Sequence, residues 1–332
     1  MLFVDAVRER ASQRLRRIVF PESGDERVIA AVRRLAADRI AEPVIVLDPA
    51  NQHHEVPSGV EAIDPTTDPR TARVRDTLLM RRRAKGAGLS DDKAARLALT
   101  PLYFADDLVR AGDVDGCVAG CVLTTAEVMR AALWLIGAAA GVRTVSSAFY
   151  MAVRAFRGDV EEVLTFTDCA VLPSPTAEQL ADIAIAAARD RSRIVGDAAR
   201  VAFLSFSTRG SAGGEHESVE RVRQAVRLAK ERAPEFHFDG ELQGDAALIA
   251  AVATRKTSGG EVAGRANVLV FPSLDAGNIA YKLVERLAQA RAVGPIVQGL
   301  ARPCNDLSRG ASVDDIINVA AVTSLQASDV PG

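Results

Sequence analysis

The sequence predicts an α/β protein built as two three-layer α/β/α domains with largely parallel sheets. Short β-branched runs alternate with long helical patterns along the chain, the signature of parallel strands joined by crossover helices. Its 332 residues exceed what one hydrophobic core usually organises, which points to about two domains. Hydrophobic residues make up 48% and charged residues 25%, an ordinary globular balance without a disorder signature. No 20–50-residue repeat or low-complexity tract competes with this reading.

Strands are expected at residues 17–20, 43–47, 116–119, 143–147, 164–167, 200–205, 267–271 and 295–297. Helical patterns fall at 25–39, 72–86, 91–111, 125–138, 176–191, 217–232, 244–254, 276–291 and 313–326. Leu180, Ile183, Ile185 and Ala187 mark the apolar face of one helix, and Ser174-Pro175-Thr176 supplies its cap and a proline near its first turn. Residues 48–70, rich in Pro, Asp and Thr, read as a long loop or small insertion. The charged stretch 154–162 breaks the pattern and places a crossover between domains near 148–162.

Composition excludes several functions. A formal net charge of -2 argues against nucleic-acid binding, which draws on a basic surplus, and 5% aromatic residues leave little for base stacking. Cys117 and Cys121 form a C-x3-C pair, but Cys169 and Cys304 lack the close spacing of a second zinc half-site. His53, His54, His216 and His237 fit no HExxH or H-x-E spacing, so surface or loop positions are expected and no metal site. The longest apolar run, 131–142, is too short to span a bilayer, and an Arg-rich amphipathic start replaces a secretory signal. No membrane association and a cytoplasmic location are expected.

Three loops lie between a strand and a helix, where parallel sheets place ligands. In the first, 119–125, Gly120 permits close backbone approach, while Thr124 and Thr125 bring hydroxyls to a helix start followed by Arg130. Either threonine also serves as an ordinary N-cap. The second, 205–214, carries Ser207, Thr208, Arg209 and three glycines without a P-loop or GxGxxG pattern, and reads equally as a flexible connection. The third, 305–315, aims Arg309 and Ser308 at a helix N-terminus, so guanidinium, hydroxyl and helix dipole can converge on one anion. Ser312 and Asp315 have the S-x-x-D spacing of a variant capping box, which leaves capping and catalysis level for Asp315.

Taken together, these segments resemble the phosphate acetyl/butyryltransferase family, and within it the phosphate acetyltransferases. The resemblance is carried by Phe20-Pro21-Glu22 with Asp25-Glu26-Arg27, and by Asp115-Gly116 through Thr124-Thr125 and Arg130. It continues in Leu204-Ser205-Phe206-Ser207-Thr208, Asp239-Gly240-Glu241-Leu242-Gln243, Val262-Ala263-Gly264-Arg265-Ala266-Asn267 and Phe271-Pro272 with Gly277-Asn278. Gly294-Pro295-Ile296, Gln298-Gly299-Leu300 and Asn305-Asp306-Leu307-Ser308-Arg309-Gly310 complete it, so it runs in order along nearly the whole chain.

The resemblance implies reversible transfer of an acetyl group between CoA and inorganic phosphate in a ternary complex. Acetyl-CoA is then a substrate and no cofactor is needed. It also implies an active cleft between two domains and a homodimer. The first domain, 1–148, is completed by 302–332, and the second spans 149–301. By the same resemblance Asp315 is the base for the CoA thiol, Arg309 binds phosphate and Ser308 stabilises the transition state. Arg130 and Arg82 match further substrate arginines, and Thr124, Thr125, Ser207, Thr208 and Asn305 are candidate substrate contacts.

Proton affinities restrict that assignment. A thiol near pKa 8.5 and an aspartate near 3.9 differ by about 4.6 units, or about 6 kcal/mol. A resting Asp315 therefore cannot hold a thiolate at equilibrium. A helix N-terminus widens the gap, so either burial raises the acid or proton transfer is concerted with thiol attack. Cys304, four residues before Ser308, reads as structural, and Ser308 has no recognisable histidine partner for a covalent route.

Three positions depart from the family. Leu123 stands where histidine is usual, Ala131 where proline is usual, and Leu172 where asparagine is common. The first opens the acyl preference, so a longer-chain phosphate acyltransferase such as phosphate butyryltransferase is the nearest alternative. A non-catalytic CoA- or acyl-phosphate-binding paralogue is a second, opposed by the retained Ser308, Arg309 and Asp315. A metal-dependent dehydrogenase of similar architecture lacks its dinucleotide fingerprint here.

Overall fold

The computed structural model describes residues 1–51, 56–257 and 259–327. His53 and His54 lie outside them; His216 and His237 are both exposed. Contacts group the chain into two compact units, one of residues 3–140 with 300–332 and one of 141–299.

The first unit opens with α1 (Phe3–Gln13), the amphipathic Arg-rich start, which buries Phe3, Val4, Val7 and Ala11 on one stripe. β1 (Arg17–Phe20) follows and buries its last three residues. Asp25 then caps α2 (Glu26–Ala37) by accepting from the Arg27 N–H. β2 (Glu42–Val46) leads into residues 48–70, which carry the short strand β3 (Glu61–Ile63). α3 (Arg70–Ala84) ends in three consecutive arginines, favourable at a helix C-terminus.

The helix expected over 91–111 is two helices, α4 (Asp91–Ala98) and α5 (Pro101–Ala111). Proline excludes the residue before it from helical geometry, and Thr100 is extended with ψ 126°. β4 (Gly116–Ala119) is buried throughout, and α6 (Thr125–Leu135) begins at a complete capping box between Thr124 and Glu127.

In the second unit, β5 (Ser146–Val153) and β6 (Glu162–Thr167) form an antiparallel hairpin. The crossover expected near 148–162 is therefore the interior of one sheet: the charged stretch is a hairpin turn, and its polarity reflects exposure at a strand end. α7 (Ala177–Ile194), with the Thr176–Gln179 capping box, precedes β7 (Arg200–Leu204), α8 (Glu217–Arg232) and β8 (His237–Leu242). The pattern at 244–254 divides into α9 (Gly244–Leu248) and α10 (Ala250–Lys256) at the extended Ile249. β9 (Val268–Val270), α11 (Leu274–Leu287) and β10 (Arg291–Gln298) complete the unit.

Its sheet order is β10-β5-β6-β9-β7-β8, parallel except where β5 meets β10 and β6. Alternate residues pack opposite faces: Val201, Phe203, Val268 and Val270 against α7 and α8, and Ala202, Leu204 and Leu269 with the α9–α11 side. Gly277 lets α11 approach closely, since a Cβ there would lie 2.3 Å from the Asp168 carbonyl oxygen.

The chain then returns to the first unit with β11 (Cys304–Asp306) and α12 (Val313–Gln326). The sheet there is β11-β4-β1-β2-β3, all parallel. Val19, Val44 and Val46 pack with α3–α6, while α12 lies against β1 and β4 with α1 and α2 beside it. Asn305, expected at the substrate, is fully buried instead: its amide donates to Thr323 Oγ1 and Gln326 Oε1, both at 2.8 Å, and ties β11 to α12.

Beneath this sheet Asp106 is enclosed with Cys117 and Cys304, which face each other across β4 and β11. The Cys304 thiol donates to Asp106 Oδ1 at 3.3 Å. Cys117 thus neighbours Cys304 rather than acting with Cys121. Burial pushes the Asp106 carboxyl up to about 7, against the pull of the two thiols.

That shift has a sign. A folded pKa of about 7 against 3.8 unfolded means that the native state holds the extra proton between those values. Stability is lost as pH rises through that window, by on the order of 4 kcal/mol in full. Asp106→Asn should therefore raise the melting temperature by several degrees at pH 8, with the gain vanishing near pH 4. Thermal melts of both proteins across pH 4–8 measure this; a gain independent of pH contradicts it.

Candidate active site

Two loops of the first unit carry most of the candidate residues, and both leave the carboxyl ends of neighbouring parallel strands, β4 and β11. Position relative to the sheet thus brings residues 120–130 beside residues 306–315.

The first loop is not an open anion nest. Glu22, buried at the end of β1, fills it with its own carboxylate. Oε2 accepts the N–H groups of Gly120 and Cys121, both at 2.9 Å, and Oε1 those of Val122 at 2.8 Å and Leu123 at 2.9 Å. The N–H groups that the sequence offers to a substrate anion already serve this internal one. Gly120, at φ 110°, is required here: a Cβ would lie 2.3 Å from Asp306 Oδ1 and 2.6 Å from the Leu307 nitrogen.

Thr124 and Thr125 divide the roles expected of them. Thr124 is the N-cap, donating through its hydroxyl to Glu127 Oε2 at 2.7 Å. Thr125 donates to Asp306 Oδ2 at 2.6 Å, joining α6 to β11. Burial pushes the Asp306 carboxyl up to about 6, against the Thr125 hydrogen bond. Leu123 packs its side chain onto the apolar cluster of α3–α6, so no titratable group stands at that point of the loop.

Arg130 and Arg309 both act on Glu127. The Thr124 N–H and hydroxyl hold its carboxyl below the usual range, and Arg130 and Arg309 are close enough to lower it further. Arg130 also borders the Tyr103 hydroxyl: burial pushes that phenol up, and Arg130 opposes the shift. Tyr103 meets Trp134 edge-on at 6.0 Å, and the Arg82 guanidinium lies over the Trp134 ring at 4.1 Å. Arg82 is thus tied to Trp134, Trp134 to Tyr103, Arg130 to Tyr103 and Glu127, and Arg309 to Glu127. Trp134 is the sole tryptophan and sits four residues beyond Arg130, one helical turn along the same face. That spacing was available in the sequence, but nothing in it names the aromatic partner of Arg82.

In the second loop Ser308, Arg309 and Gly310 are exposed, and Ser308 Oγ accepts from the Gly310 N–H at 3.2 Å. Asp315 completes the capping box, with Oδ2 accepting from the Ser312 N–H at 2.9 Å and the Ser312 hydroxyl at 2.7 Å. Capping is thus real for Asp315, and it holds the carboxylate at the start of α12. Asp314, next to it, pairs with Arg8 and Arg34 at 3.2 and 3.0 Å and pins the same helix start to α1 and α2.

Ser207 and Thr208 belong to the second unit and are buried. The Ser207 hydroxyl donates to Glu241 Oε1 at 3.0 Å, and Thr208 Oγ1 exchanges hydrogen bonds with Gln243. Glu241 also accepts the Gly210 N–H at 2.7 Å and both arms of Arg223. Although burial alone would raise its carboxyl, these partners hold it at about 2. The two hydroxyls shape the 205–214 loop from within, a role that the spacing of polar residues does not distinguish from ligand contact.

The chain resembles known proteins in both sequence and fold. Residues 2–324 match the family described as phosphate acetyl/butaryl transferase. The phosphate acetyltransferase of Acetivibrio thermocellus is 43% identical over 335 residues, covering 98% of each chain. The structure resembles the phosphotransacetylase of Streptococcus pyogenes, with a TM-score of 0.88 and 35% identity over 98% of both chains. It also resembles the EutD phosphotransacetylase of Staphylococcus aureus, with a TM-score of 0.86 and 37% identity over 98% of both. With a family match that spans nearly all of it and relatives alike in sequence and fold, the chain belongs to the phosphate acetyl/butaryl transferase family.

Proposed function

We propose that this protein is a phosphate acetyltransferase: acetyl-CoA and inorganic phosphate are interconverted with acetyl phosphate and CoA in a ternary complex. The observation that carries this reading is that Arg130 of α6 and Arg309 of the second loop both act on the Glu127 carboxylate, with the exposed Ser308 next to Arg309 in the chain. Two cations and one hydroxyl suit a phosphoryl group that leaves an acyl carbon.

In the direction of acetyl-CoA synthesis, the CoA sulfur attacks the acetyl carbon of acetyl phosphate. A C–S bond forms, the C–O bond to phosphate breaks, and the thiol proton passes to Asp315. Arg309 and Arg130 neutralise the departing phosphate, and Ser308 donates to the developing oxyanion. The capping box keeps the Asp315 carboxylate in one rotamer, with Oδ2 committed to Ser312, so Oδ1 is the oxygen for proton transfer. Because Asp315 is a weak base for a thiol, the transfer is concerted with attack. Atoms and charges balance without a cofactor.

The homodimer finds support in α11. Ile279, Leu283 and Leu287 form an i, i+4, i+8 apolar stripe, 57%, 51% and 79% exposed. Lys282, Glu285 and Arg286 beside it bring both charge signs, which suits a two-fold contact of the surface with itself. No helix among the described residues is long and apolar enough to cross a membrane.

Three tests apply. Purified protein with acetyl-CoA and phosphate in chelator-treated buffer should release thiol in a phosphate-dependent manner, and faster than with butyryl-CoA. No release with any acyl-CoA would leave the non-catalytic paralogue, and a butyryl preference the longer-chain enzyme, with Leu123 as the departure at issue.

Arg309→Gln should lower kcat/KM by about 10²–10³ with folding intact. Asp315→Glu separates the two roles of that residue, because glutamate is the usual capping-box partner but is one methylene longer. It should keep the melting temperature and lose about 10²-fold or more in kcat; near-normal turnover would leave capping as the whole role.

Leu283→Glu should yield monomers by sedimentation, whereas an unchanged dimer would place the interface elsewhere.

A further inference from the structure

Residues 22–27, on neither candidate loop, touch both of them. Arg27 uses every donor of its guanidinium. Nε and Nη2 hold the Asp25 carboxylate at 3.1 and 2.7 Å. Nη1 donates to the carbonyls of Arg309 at 2.8 Å and Ala311 at 2.9 Å, and Nη2 reaches the Cys121 carbonyl at 3.1 Å. Five residues earlier, Glu22 gathers the four N–H groups of residues 120–123. One short segment after β1 thus binds the N–H groups of one loop and carbonyls of both.

We infer that Arg27 and Glu22 form a positioning clamp that sets the main chain of Arg309, and with it the reach of the Arg309 guanidinium towards phosphate. The inference rests on the reading of Arg309 as the phosphate ligand. Its physical basis is donor geometry. A planar fork can hold a carboxylate on one edge and carbonyls on the others, which a lysine ammonium cannot reproduce. Asp25 turns the fork: without it, Nη1 has no reason to face residues 309 and 311. Glu22 holds the other wall, fixing Cys121, whose carbonyl meets the same guanidinium. An exposed turn such as 308–310 has few contacts of its own, so its geometry depends on these tethers.

Arg27→Ala and Arg27→Lys, each on the full-length protein, test the clamp by two readouts. In steady state, Arg27→Ala should raise the phosphate KM about tenfold or more and leave the acyl-CoA KM within about twofold. Millimolar guanidinium ion should restore part of the loss, and Arg27→Lys should fall between the two proteins. In hydrogen exchange, amides of 307–312 and 120–123 should exchange faster in Arg27→Ala while those of β1 and α5 do not. A phosphate KM within twofold of the parent, or faster exchange throughout the unit, overturns the clamp. Should Arg27→Ala fail to fold, Arg27→Lys carries both readouts. Should the parent protein lack transferase activity, the functional reading falls, and the exchange pattern alone decides whether the clamp exists.

Discussion

Four backbone N–H groups converge on one buried carboxylate where β1 ends, and the first unit's candidate site is arranged around that contact. Glu22 satisfies donors that would otherwise be orphaned between a buried strand and a helix start. With the loop closed in this way, α6 begins at a defined point, Thr124 caps it, and Arg130 and Trp134 emerge from one face. Arg27, five residues on, takes the carbonyls that the loops leave over. A carboxylate for N–H groups and a guanidinium for carbonyls is complementary pairing of main chain by side chain, and it makes two irregular loops behave as parts of the sheet.

The same arrangement decides what kind of anion site remains. Since Glu22 occupies the backbone donors, the proposed anion site draws its charge from side chains, Arg309 and Arg130 near Glu127 and Arg82 stacked on Trp134. Side-chain cations held by an aromatic surface or an acidic neighbour keep their direction at a lower entropic cost than free ones. Asp315 shows how a structural role can serve the proposed chemical one. The capping box commits one carboxylate oxygen and thereby orients the other.

Several buried polar groups elsewhere are paired in the same way. Asn305 links β11 to α12, Glu241 holds the 205–214 loop through Ser207, Gly210 and Arg223, and Arg191 bonds Thr165 and the Asn267 carbonyl. Asp106, whose burial carries it to about 7, has only thiols for hydrogen-bond partners and is a costlier case.

The alternation of β-branched runs with amphipathic stretches determined the α/β class, most strands and most helices, because periodicity reports directly which face is buried. Strand ends blurred where period-2 burial gives way to continuous burial, as in β5, all eight residues of which are buried. β8, with Asp239 and Gly240 inside it, and the three-residue β3 and β11 carry too weak a local pattern to be read at all. The segment that carries Ser308, Arg309 and Asp315 was legible as a loop leading into a capped helix start. Whether a polar residue faces substrate or the interior was not: Asn305, Ser207 and Thr208 have the composition of ligand contacts and the burial of internal ties. Residues 20–27 stood in the sequence as a motif without a role. Only the fold, by bringing the ends of β1, β4 and β11 side by side, gave Glu22 and Arg27 their partners about 100 and 280 residues away. Local physics thus determined the elements. The partnership of distant main-chain groups, which no local propensity encodes, was settled by tertiary structure.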